Sequence, residues 1–291
     1  MTVLITGIGG FVGKNAAKYL IDNGIEVIGV YHKKAPECTI RKCFSCDLAG
    51  EDIEQYIGSD KIDAVIHFAG QMRGDKVRDY LDNTIKSTRR LIDYAEKAKI
   101  RQFIYISSIS AYGETLSSVN ENSDRINLDD YGMSKYLCER LLEDAAIEKR
   151  MVLRLPRILG KNCDLSYPWL PKAAQQMLKD ETIYYTNPDL LYNNMLYMDD
   201  LSKFLLILLD KDMKGFERFV LGAKGRMRII DILETLKKEI SSKSELIEKR
   251  VNNRNKCYAI DTAHAEAYGF KSRSIDEILR TFAQDIRIEQ E

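Results

Sequence analysis

The sequence predicts an α/β fold in which a doubly wound parallel sheet is joined to a smaller C-terminal lobe. Short apolar runs with strand character alternate with helical segments through residues 1–160, and this alternation is typical of a parallel sheet covered by helices on both faces. The first apolar run turns through glycines directly into a helical segment. Because the rest of the chain lacks a second unit of this kind, we assign residues 161–291 mainly to the lobe. A segment of about residues 192–210 is expected to return to the sheet domain.

Each element is predicted from its own apolar pattern. The first strand is followed by a helix over 14–23, and a long helix over 80–98 carries one apolar face. Further strands are predicted over 25–31, 43–48, 62–70 and 102–107. In the part of the chain after residue 160, helices are predicted over 172–179 and 229–240. Two more helices are predicted to begin at 199 and at 274, and strands are predicted over 195–198 and 218–221.

The composition excludes several classes of function. The chain has 291 residues, of which 45% are hydrophobic, and its 44 basic and 44 acidic residues cancel. A balanced charge gives no support for binding to nucleic acid or to a membrane surface. No apolar run reaches the roughly 18 residues of a membrane span, and Met1 leads into the first strand without a secretory leader. We therefore expect a cytoplasmic protein with a small-molecule substrate.

The six cysteines do not form a recognisable framework of disulfides. Cys38, Cys43 and Cys46 reproduce part of an iron–sulfur spacing, with the distant Cys257 as a fourth candidate, and coincidence is the favoured interpretation. The three histidines are widely separated. We predict no metal site.

Glycines in the first turn predict a phosphate-binding loop. Gly7, Gly10 and Gly13 are spaced three apart, rather than as G-x-G-x-x-G, and Phe11 and Val12 lie between the last two. Glycines let the backbone approach a pyrophosphate, and the N-terminus of the following helix favours an anion. An ordinary tight turn is the alternative interpretation.

The end of the second strand bears on the choice of cofactor. His32-Lys33-Lys34 ends it, and no Asp or Glu lies between Val27 and Lys34. An acidic side chain at this place accepts the ribose hydroxyls of NAD, whereas basic groups accommodate the 2′-phosphate of NADP. We therefore favour NADP(H), with NAD(H) as the other possibility and a solvated loop as the structural alternative.

Two more strand ends are candidates for contact with the cofactor. Asp47 and Leu48 stand at the carboxyl end of the third strand, where ligands bind in doubly wound sheets. The close alternative for Asp47 is a helix N-cap. Phe68-Ala69-Gly70 ends the fourth strand in small residues that let a cofactor lie against the backbone.

Three residues predict acid–base chemistry. Ser108 stands at the carboxyl end of the fifth strand, and Tyr131 and Lys135 lie four apart on a helix, so they share a face. A tyrosine is a poor base at neutral pH, but a nearby ammonium and an oxidised nicotinamide favour its phenolate. Such a tyrosine can exchange a proton with a substrate oxygen while a nicotinamide exchanges a hydride. A tyrosine and lysine at this spacing are also common on exposed helices.

Together these motifs resemble the extended short-chain dehydrogenase/reductase family, in its branch of nucleotide-sugar epimerases, dehydratases and reductases. The similarity runs from residue 2 to about 200 and implies a Rossmann-type dinucleotide domain, a substrate-binding lobe and a homodimer formed through the helices at 80–98 and 131–147. The alternative for these two helices is that their apolar faces pack only on the sheet. It implies a catalytic trio of Ser108, Tyr131 and Lys135. It also implies that Lys135 holds the nicotinamide ribose, that Pro156 flanks the nicotinamide and that Asn83 is a structural residue of the active site.

Departures from the family pattern concern the substrate. Asn193 stands where relatives often carry an arginine that grips the nucleotide diphosphate, and Arg157 stands where many carry asparagine. A contact from Arg157 to the diphosphate or substrate is one hypothesis, and a structural ion pair is the other. Ser108 is followed by Ile109 and Ser110 rather than by the acidic pair of 4,6-dehydratases. We take Ser108, Ser110, Arg157 and Asn193 as the candidate substrate contacts.

Without the acidic pair, dehydration is disfavoured. We predict hydride transfer at C4 of a nucleotide-linked hexose, as a 4-ketoreductase, with a 4-epimerase that retains NAD as the alternative. A ketoreductase acting on a substrate without a nucleotide, and a non-catalytic protein that senses a dinucleotide, are the remaining alternatives.

Overall fold

The computed structural model describes residues 1–36, 40–74, 76–114, 118–250 and 259–288. Cys38 and Cys257, which belong to the iron–sulfur hypothesis, lie outside these residues. The strands are β1 (Thr2–Thr6), β2 (Glu26–Tyr31), β3 (Lys42–Ser45), β4 (Ala64–His67), β5 (Gln102–Ser108), β6 (Lys149–Leu155), β7 (Arg157–Leu159), β8 (Ile183–Tyr185), β9 (Leu191–Tyr192), β10 (Met195–Tyr197), β11 (Gly215–Val220), β12 (Met227–Arg228) and β13 (Leu246–Glu248).

Helices connect these strands. They are α1 (Phe11–Asp22), α2 (Glu54–Ile57), α3 (Val77–Asp79), α4 (Lys86–Lys97), α5 (Asp130–Glu143), α6 (Leu170–Met177), α7 (Met198–Asp210), α8 (Ile229–Ile240), α9 (Ala263–Ala267) and α10 (Ile275–Ile288). The predicted long helix is present as α3 and α4, joined by a π-helical turn over Tyr80–Ile85. In the described parts of the chain, no helix combines the length and the apolar content needed to cross a bilayer.

Seven strands form the central sheet in the order β11-β6-β5-β4-β1-β2-β3. All of its pairs are parallel, and β1 lies between β2 and β4, with Thr6 beside Val30 and His67. Chain order reverses at β1, and such a switch point opens a crevice at the carboxyl ends of the strands. The predicted doubly wound parallel sheet is confirmed.

Alternate residues of the strands support two hydrophobic cores, one on each face of the sheet. Val3 and Ile5 of β1 join the core that includes α1 and α7, whereas Leu4 joins the core that includes α4 and α5. Successive strand residues point to opposite faces, so a run that is apolar throughout is buried on both sides.

A third core lies in the C-terminal part of the chain. It is built by α6, α8 and α10, with Ile232, Leu236 and Phe282 completely buried in it. Short strand pairs border it: β10 with β7, β12 with β9 and β13 with β8. This core provides the smaller lobe beside the cleft.

The segment of the C-terminal part that packs on the main sheet extends beyond the predicted residues 192–210. In addition to α7, which packs on α1, strand β11 completes the main sheet beside β6. Phe219 of β11 packs against Phe204 of α7 with ring centroids 5.5 Å apart. The predicted strand over 218–221 therefore belongs to the sheet rather than the lobe, because β6 offers it an open edge for hydrogen bonding.

Candidate active site

Loops at the carboxyl ends of β1, β2, β4, β5 and β6 enclose a cleft of about 500 Å³. It is the kind of site expected at the switch point of such a sheet. Most of the predicted site residues line it: Gly7, Gly10, Phe11, Val12, Gly13, His32, Asp47, Leu48, Phe68, Ala69, Gly70, Asn83, Ser108, Tyr131, Lys135, Pro156 and Arg157. The fold thus brings residues from positions 7 to 157 of the chain to one cavity.

Three predicted residues are not among those that line the cleft: Lys33, Ser110 and Asn193. The exposed Lys33 follows His32 outside it. Ser110 is hydrogen-bonded to Ser108 instead. The backbone N–H of Ser110 donates to the Oγ of Ser108 at 3.1 Å, and the Oγ of Ser108 donates to the Oγ of Ser110 at 3.2 Å.

Asn193 has a structural place in the lobe. It is buried, its amide nitrogen donates to the carbonyls of Ala223 and Ile260, and its Oδ1 accepts the N–H of Ile260 at 2.7 Å. These bonds join three segments that are distant in sequence. The nitrogen and the oxygen of the Asn193 side-chain amide therefore both bond to backbone groups of the protein, which is a structural role rather than a contact with a substrate.

The glycine loop fits a dinucleotide pyrophosphate. Gly7 has φ +73°, and a Cβ there would lie 2.7 Å from the backbone nitrogen of Ala69, while a Cβ on Gly13 would lie 2.5 Å from the Gly7 carbonyl oxygen. Beside Gly10, in contrast, a Cβ would meet only the Gly7 oxygen at 3.4 Å. No side chain caps α1, and its first turn contains no acidic residue. Its first N–H groups therefore remain available to an anion.

At the end of β2, Tyr31 and His32 line the same cleft. Across from them, Oδ1 of Asp47 accepts the N–H of Ala49 at 3.0 Å. This bond supports the turn after β3, and no helix begins there, since the next helix, α2, starts at Glu54 with Ile53 at its N-cap. One carboxylate oxygen of Asp47 is thus engaged in the turn.

A close backbone approach positions the tyrosine beside Ser108. Asp129 caps α5, since its Oδ1 accepts the N–H of Gly132 at 2.7 Å. A Cβ on Gly132 would lie only 2.2 Å from the carbonyl oxygen of Ser110. Helix α5 can therefore begin directly against the turn that follows β5, which carries Ser108 and Tyr131 to the same wall of the cleft.

Lys135 is almost completely buried, with 5% of its surface exposed. Its Nζ donates to the carbonyl oxygen of Ile106 at 3.1 Å and lies 5.1 Å from the ring centroid of Tyr105 and 6.0 Å from that of Tyr131. A buried ammonium with few partners favours nearby negative charge. This arrangement places a buried positive charge beside the ring of Tyr131.

Sequence reasoning missed a buried ion pair behind this wall. Arg154 and Glu139 are both inaccessible to solvent, with Nη2 to Oε2 at 2.6 Å and Nε to Oε1 at 2.9 Å. Ser107, the neighbour of Ser108, donates its hydroxyl to Glu139 Oε1 at 2.6 Å. The signal was the position of Glu139, four residues after Lys135 on the same buried helix face.

His67 holds β1, β4 and α4 together beneath the cleft. Its Nδ1 lies 2.5 Å from Thr6 Oγ1 and its Nε2 lies 2.9 Å from Thr88 Oγ1. Burial, together with the charge of Lys135, lowers the pKa of His67 to about 3. His67 is therefore neutral at physiological pH. Within the residues that the structure describes, no group of three or more His, Cys, Asp or Glu side chains is placed to hold a metal ion.

Comparison with known proteins connects this cleft to a family. A model described as "NAD dependent epimerase/dehydratase family" matches residues 3–222. The chain belongs to this family. The resemblance to its nucleotide-sugar branch is thereby confirmed.

Curated relatives of this family member include enzymes of two types. A UDP-glucose 4-epimerase of Schizosaccharomyces pombe is 29% identical over 164 residues, which cover 49% of this chain and 46% of that protein. The human dTDP-D-glucose 4,6-dehydratase is 23% identical over 269 residues, covering 84% of this chain and 76% of the relative. The alignments with the UDP-glucose 4-epimerases span about half the length of those relatives.

Solved structures of the family share the whole fold. A UDP-glucose 4-epimerase from Thermotoga maritima, solved with UDP-glucose, has a TM-score of 0.84 at 20% identity and covers 100% of both chains. A UDP-glucuronic acid 4-epimerase from Bacillus cereus, in complex with NAD, has a TM-score of 0.82 at 23% identity over 100% of this chain and 100% of that one. Both therefore extend the shared fold to the C-terminal lobe.

Proposed function

We propose that this protein is an NAD(P)-dependent oxidoreductase that transfers hydride at C4 of a nucleotide-linked hexose. A 4-ketoreductase is the favoured form of this activity. The observation that carries the proposal is the presence of Ser108, Tyr131 and Lys135 on one cleft with the glycine loop. A proton carrier, its electrostatic partner and a pyrophosphate site then serve one reaction.

Each side chain of the trio has its own task. The bound nicotinamide would supply or accept the hydride. Tyr131 would give a proton to the substrate oxygen as its carbon is reduced, and Lys135 would stabilise the phenolate that remains. The hydroxyl of Ser108 would donate to the same oxygen and so stabilise its developing negative charge.

The cofactor would lie along the carboxyl ends of the strands. We assign the pyrophosphate to Gly7, Gly10 and Gly13 with the N–H groups of Phe11 and Val12. The adenosine end is assigned to His32, Asp47 and Leu48, which line the cleft, and to Lys33, which follows His32 at its outer edge. The nicotinamide half is assigned to Phe68, Ala69, Gly70, Asn83, Tyr131, Lys135 and Pro156. The absence of an acidic residue between Val27 and Lys34 supports NADP(H).

For the substrate, we propose that residues 1–160 hold the dinucleotide and that 161–291 mainly hold the sugar nucleotide. Ser108 and Arg157 remain the substrate contacts that the cleft supports. Ser110 would act through its hydrogen bonds to Ser108, and Asn193 through the backbone that it ties together.

A second candidate is a nucleotide-sugar 4-epimerase that retains NAD. It is supported by the names of the first relatives, which are UDP-glucose 4-epimerases, and by the NAD bound in the Bacillus cereus neighbour. An epimerase returns its hydride to the sugar and so keeps its cofactor, whereas a reductase exchanges cofactor at every turnover. A non-catalytic dinucleotide sensor would have no need for the trio.

Cofactor analysis separates these candidates. The purified protein is denatured and any released nucleotide is identified, and fresh protein is titrated with NADH and NADPH in the presence of 4-keto sugar nucleotides. An empty protein that oxidises NADPH supports the ketoreductase. Tightly retained NAD with interconversion of 4-epimers moves the assignment to the epimerase, and failure to bind either dinucleotide overturns the proposal.

A further inference from the structure

Tyr80 lies beside Tyr131, the proposed proton carrier. The two ring centroids are 6.1 Å apart and the ring planes are tilted by 55°, which is within the range of favourable aromatic pairs. Only 3% of the surface of Tyr80 is exposed, whereas Tyr131 is half-buried and lines the cleft. The buried ring therefore forms a fixed surface against which the cleft ring rests.

The hydroxyl of Tyr80 holds the loop that follows β4. It accepts the backbone N–H of Gly74 at 3.1 Å and donates to the carbonyl oxygen of Met72 at 2.9 Å. A tyrosine hydroxyl can donate one hydrogen bond and also accept, so both of these capacities are used on the same short loop. Gln71 and Met72 of this loop line the cleft. One side chain therefore contacts the proton carrier through its ring and a wall of the cleft through its oxygen.

Further contacts connect this loop to its surroundings. The N–H of Gln71 donates to Oγ1 of Thr84 at 2.9 Å, in the π-helical turn. Arg73 forms an ion pair with Asp129, the residue that caps α5. Both partners of that pair are partly exposed, and exposed ion pairs contribute little. The loop over 71–74 is thus attached mainly through its buried hydrogen bonds.

The π-helical turn supplies both a buried residue and a cleft residue. Such a turn bonds residue i to i+5 and recurs at functional sites. Tyr80 begins the turn and packs beside Tyr131, whereas Asn83 of the same turn lines the cleft. Tyr80 itself lies outside the lining of the cleft. Any effect that it has on the reaction must therefore pass through its neighbours.

We infer that Tyr80 is a positioning residue. Its ring fixes the orientation of Tyr131, and its hydroxyl fixes the loop that carries Gln71 and Met72. This inference rests on the proposed function, in which Tyr131 passes a proton to the substrate oxygen. Such a donor must hold its own oxygen within hydrogen-bond reach, and a misplacement of about 1 Å can lower a rate by about 100-fold. The ring of Tyr80 thus serves the proton transfer, and its hydroxyl serves the shape of the substrate site.

Two variants separate the ring from the hydroxyl. Tyr80→Phe keeps the ring against Tyr131 and removes both bonds to the loop. We expect kcat close to the wild-type value, KM for the sugar nucleotide raised by about 3- to 10-fold, as for one lost hydrogen bond, and faster amide exchange at Gly74. Tyr80→Leu removes the ring as well. We expect kcat to fall by about 10- to 100-fold and its solvent deuterium isotope effect to rise, because proton transfer then limits the rate.

Kinetics and hydrogen–deuterium exchange are measured on the full chain. The substrates are dTDP-4-keto-6-deoxy-D-glucose with NADPH for the reductase and UDP-glucose for the epimerase. Tyr94→Phe and Tyr94→Leu are the matched controls, because Tyr94 is a partly buried tyrosine of α4 whose ring packs in a core outside the lining of the cleft. Thermal unfolding of the four variants separates a loss of stability from a loss of alignment.

The outcomes are distinguishable. A fall in kcat in Tyr80→Leu that is absent from Tyr94→Leu and from Tyr80→Phe supports the positioning role. If Tyr80→Leu keeps the kcat and the isotope effect of the wild type, the inference is overturned while the proposed hydride chemistry stands. If Tyr80→Leu does not fold, Tyr80→Phe decides: a raised KM with faster exchange at Gly74 supports the inference, and no change in either overturns it. A wild-type protein that turns over neither substrate overturns the proposed function, and the inference falls with it.

Discussion

The Nζ of Lys135 lies 6.0 Å from the ring centroid of Tyr131, and its hydrogen bond to the carbonyl oxygen of Ile106 holds it there. The two side chains come from successive turns of α5 and face one cavity. This relationship gives the cleft a tyrosine next to a buried positive charge.

Tyr131→Phe is expected to lower turnover by about 10²- to 10⁴-fold, the usual contribution of a positioned acid or base. Affinity for the dinucleotide should remain, because the ring keeps its volume. Steady-state kinetics and fluorescence titration measure the two effects. Tyr136→Phe is the matched control on the same helix, since its ring contacts Arg125. Equal activity in both variants would contradict the assignment of Tyr131 as the proton carrier.

Alanine substitutions in the glycine loop should separate binding from stability. Gly10→Ala adds a methyl group where the protein leaves room, so we expect weaker dinucleotide binding with little change in melting temperature. Gly7→Ala adds strain at φ +73° and a clash with Ala69, so we expect it to lose about 1–2 kcal/mol of stability from the backbone conformation alone. Thermal unfolding and dinucleotide titration of both variants test this. Full affinity in Gly10→Ala would place the pyrophosphate elsewhere.

His67 should make the protein sensitive to acid. Its pKa is about 3 in the folded protein and about 6.5 in an unfolded chain, so the unfolded state binds the extra proton as pH falls below 6.5. Stability is therefore fully present above pH 6.5 and declines toward pH 3, with a loss from this group of about 2 kcal/mol at pH 5. Urea unfolding at pH 7 and pH 5 measures this loss.

His67→Gln supplies the comparison for this pH effect. The variant should be less stable at pH 7, because the contacts with Thr6 and Thr88 change. Its stability should fall less between pH 7 and pH 5 than that of the wild-type protein. An identical pH dependence in the two proteins would show that His67 does not titrate in this way.

Breaking the ion pair of Glu139 and Arg154 is expected to be costly. Both side chains are completely inaccessible to solvent, so Glu139→Gln leaves an uncompensated buried charge and should cost about 3–5 kcal/mol. The double variant Glu139→Gln with Arg154→Met removes that charge and should recover part of the loss. Chemical unfolding of the two single variants and the double variant measures the coupling. Additive losses would mean that the pair does not act as a unit.

The predicted homodimer can be tested on the exposed face of the helices. Leu81, Met133 and Leu137 expose 53%, 47% and 42% of their surfaces, although they are large and apolar. A second copy of the chain would bury them, as in a four-helix bundle. Leu137→Glu is expected to shift the protein to a monomer in sedimentation velocity. Ile288→Glu, at the exposed end of α10, is the control, and a monomeric wild-type protein would contradict the dimer.

Much of the fold could be predicted because it depends on local patterns. The helix predicted over 229–240 coincides with α8, and the predicted strands of the first half lie within a few residues of those observed. The π-helical turn over Tyr80–Ile85 was not predicted, since it keeps the same apolar face as an α-helix and differs only in its hydrogen bonds.

The sequence by itself determined the class of fold and the glycine turn after the first strand, because each of these is written in neighbouring residues or in a repeated spacing. It also supplied Ser108, Tyr131 and Lys135 as a predicted trio, through the resemblance of the whole set of motifs to a family. Only the tertiary structure decided which distant groups meet. It joined Ser107 to Glu139, occupied the amide of Asn193 with the backbone of Ile260, and placed Arg157 on Tyr167 at the cleft. Such contacts depend on how the sheet and the lobe pack around each other, and no local spacing along the chain specifies them.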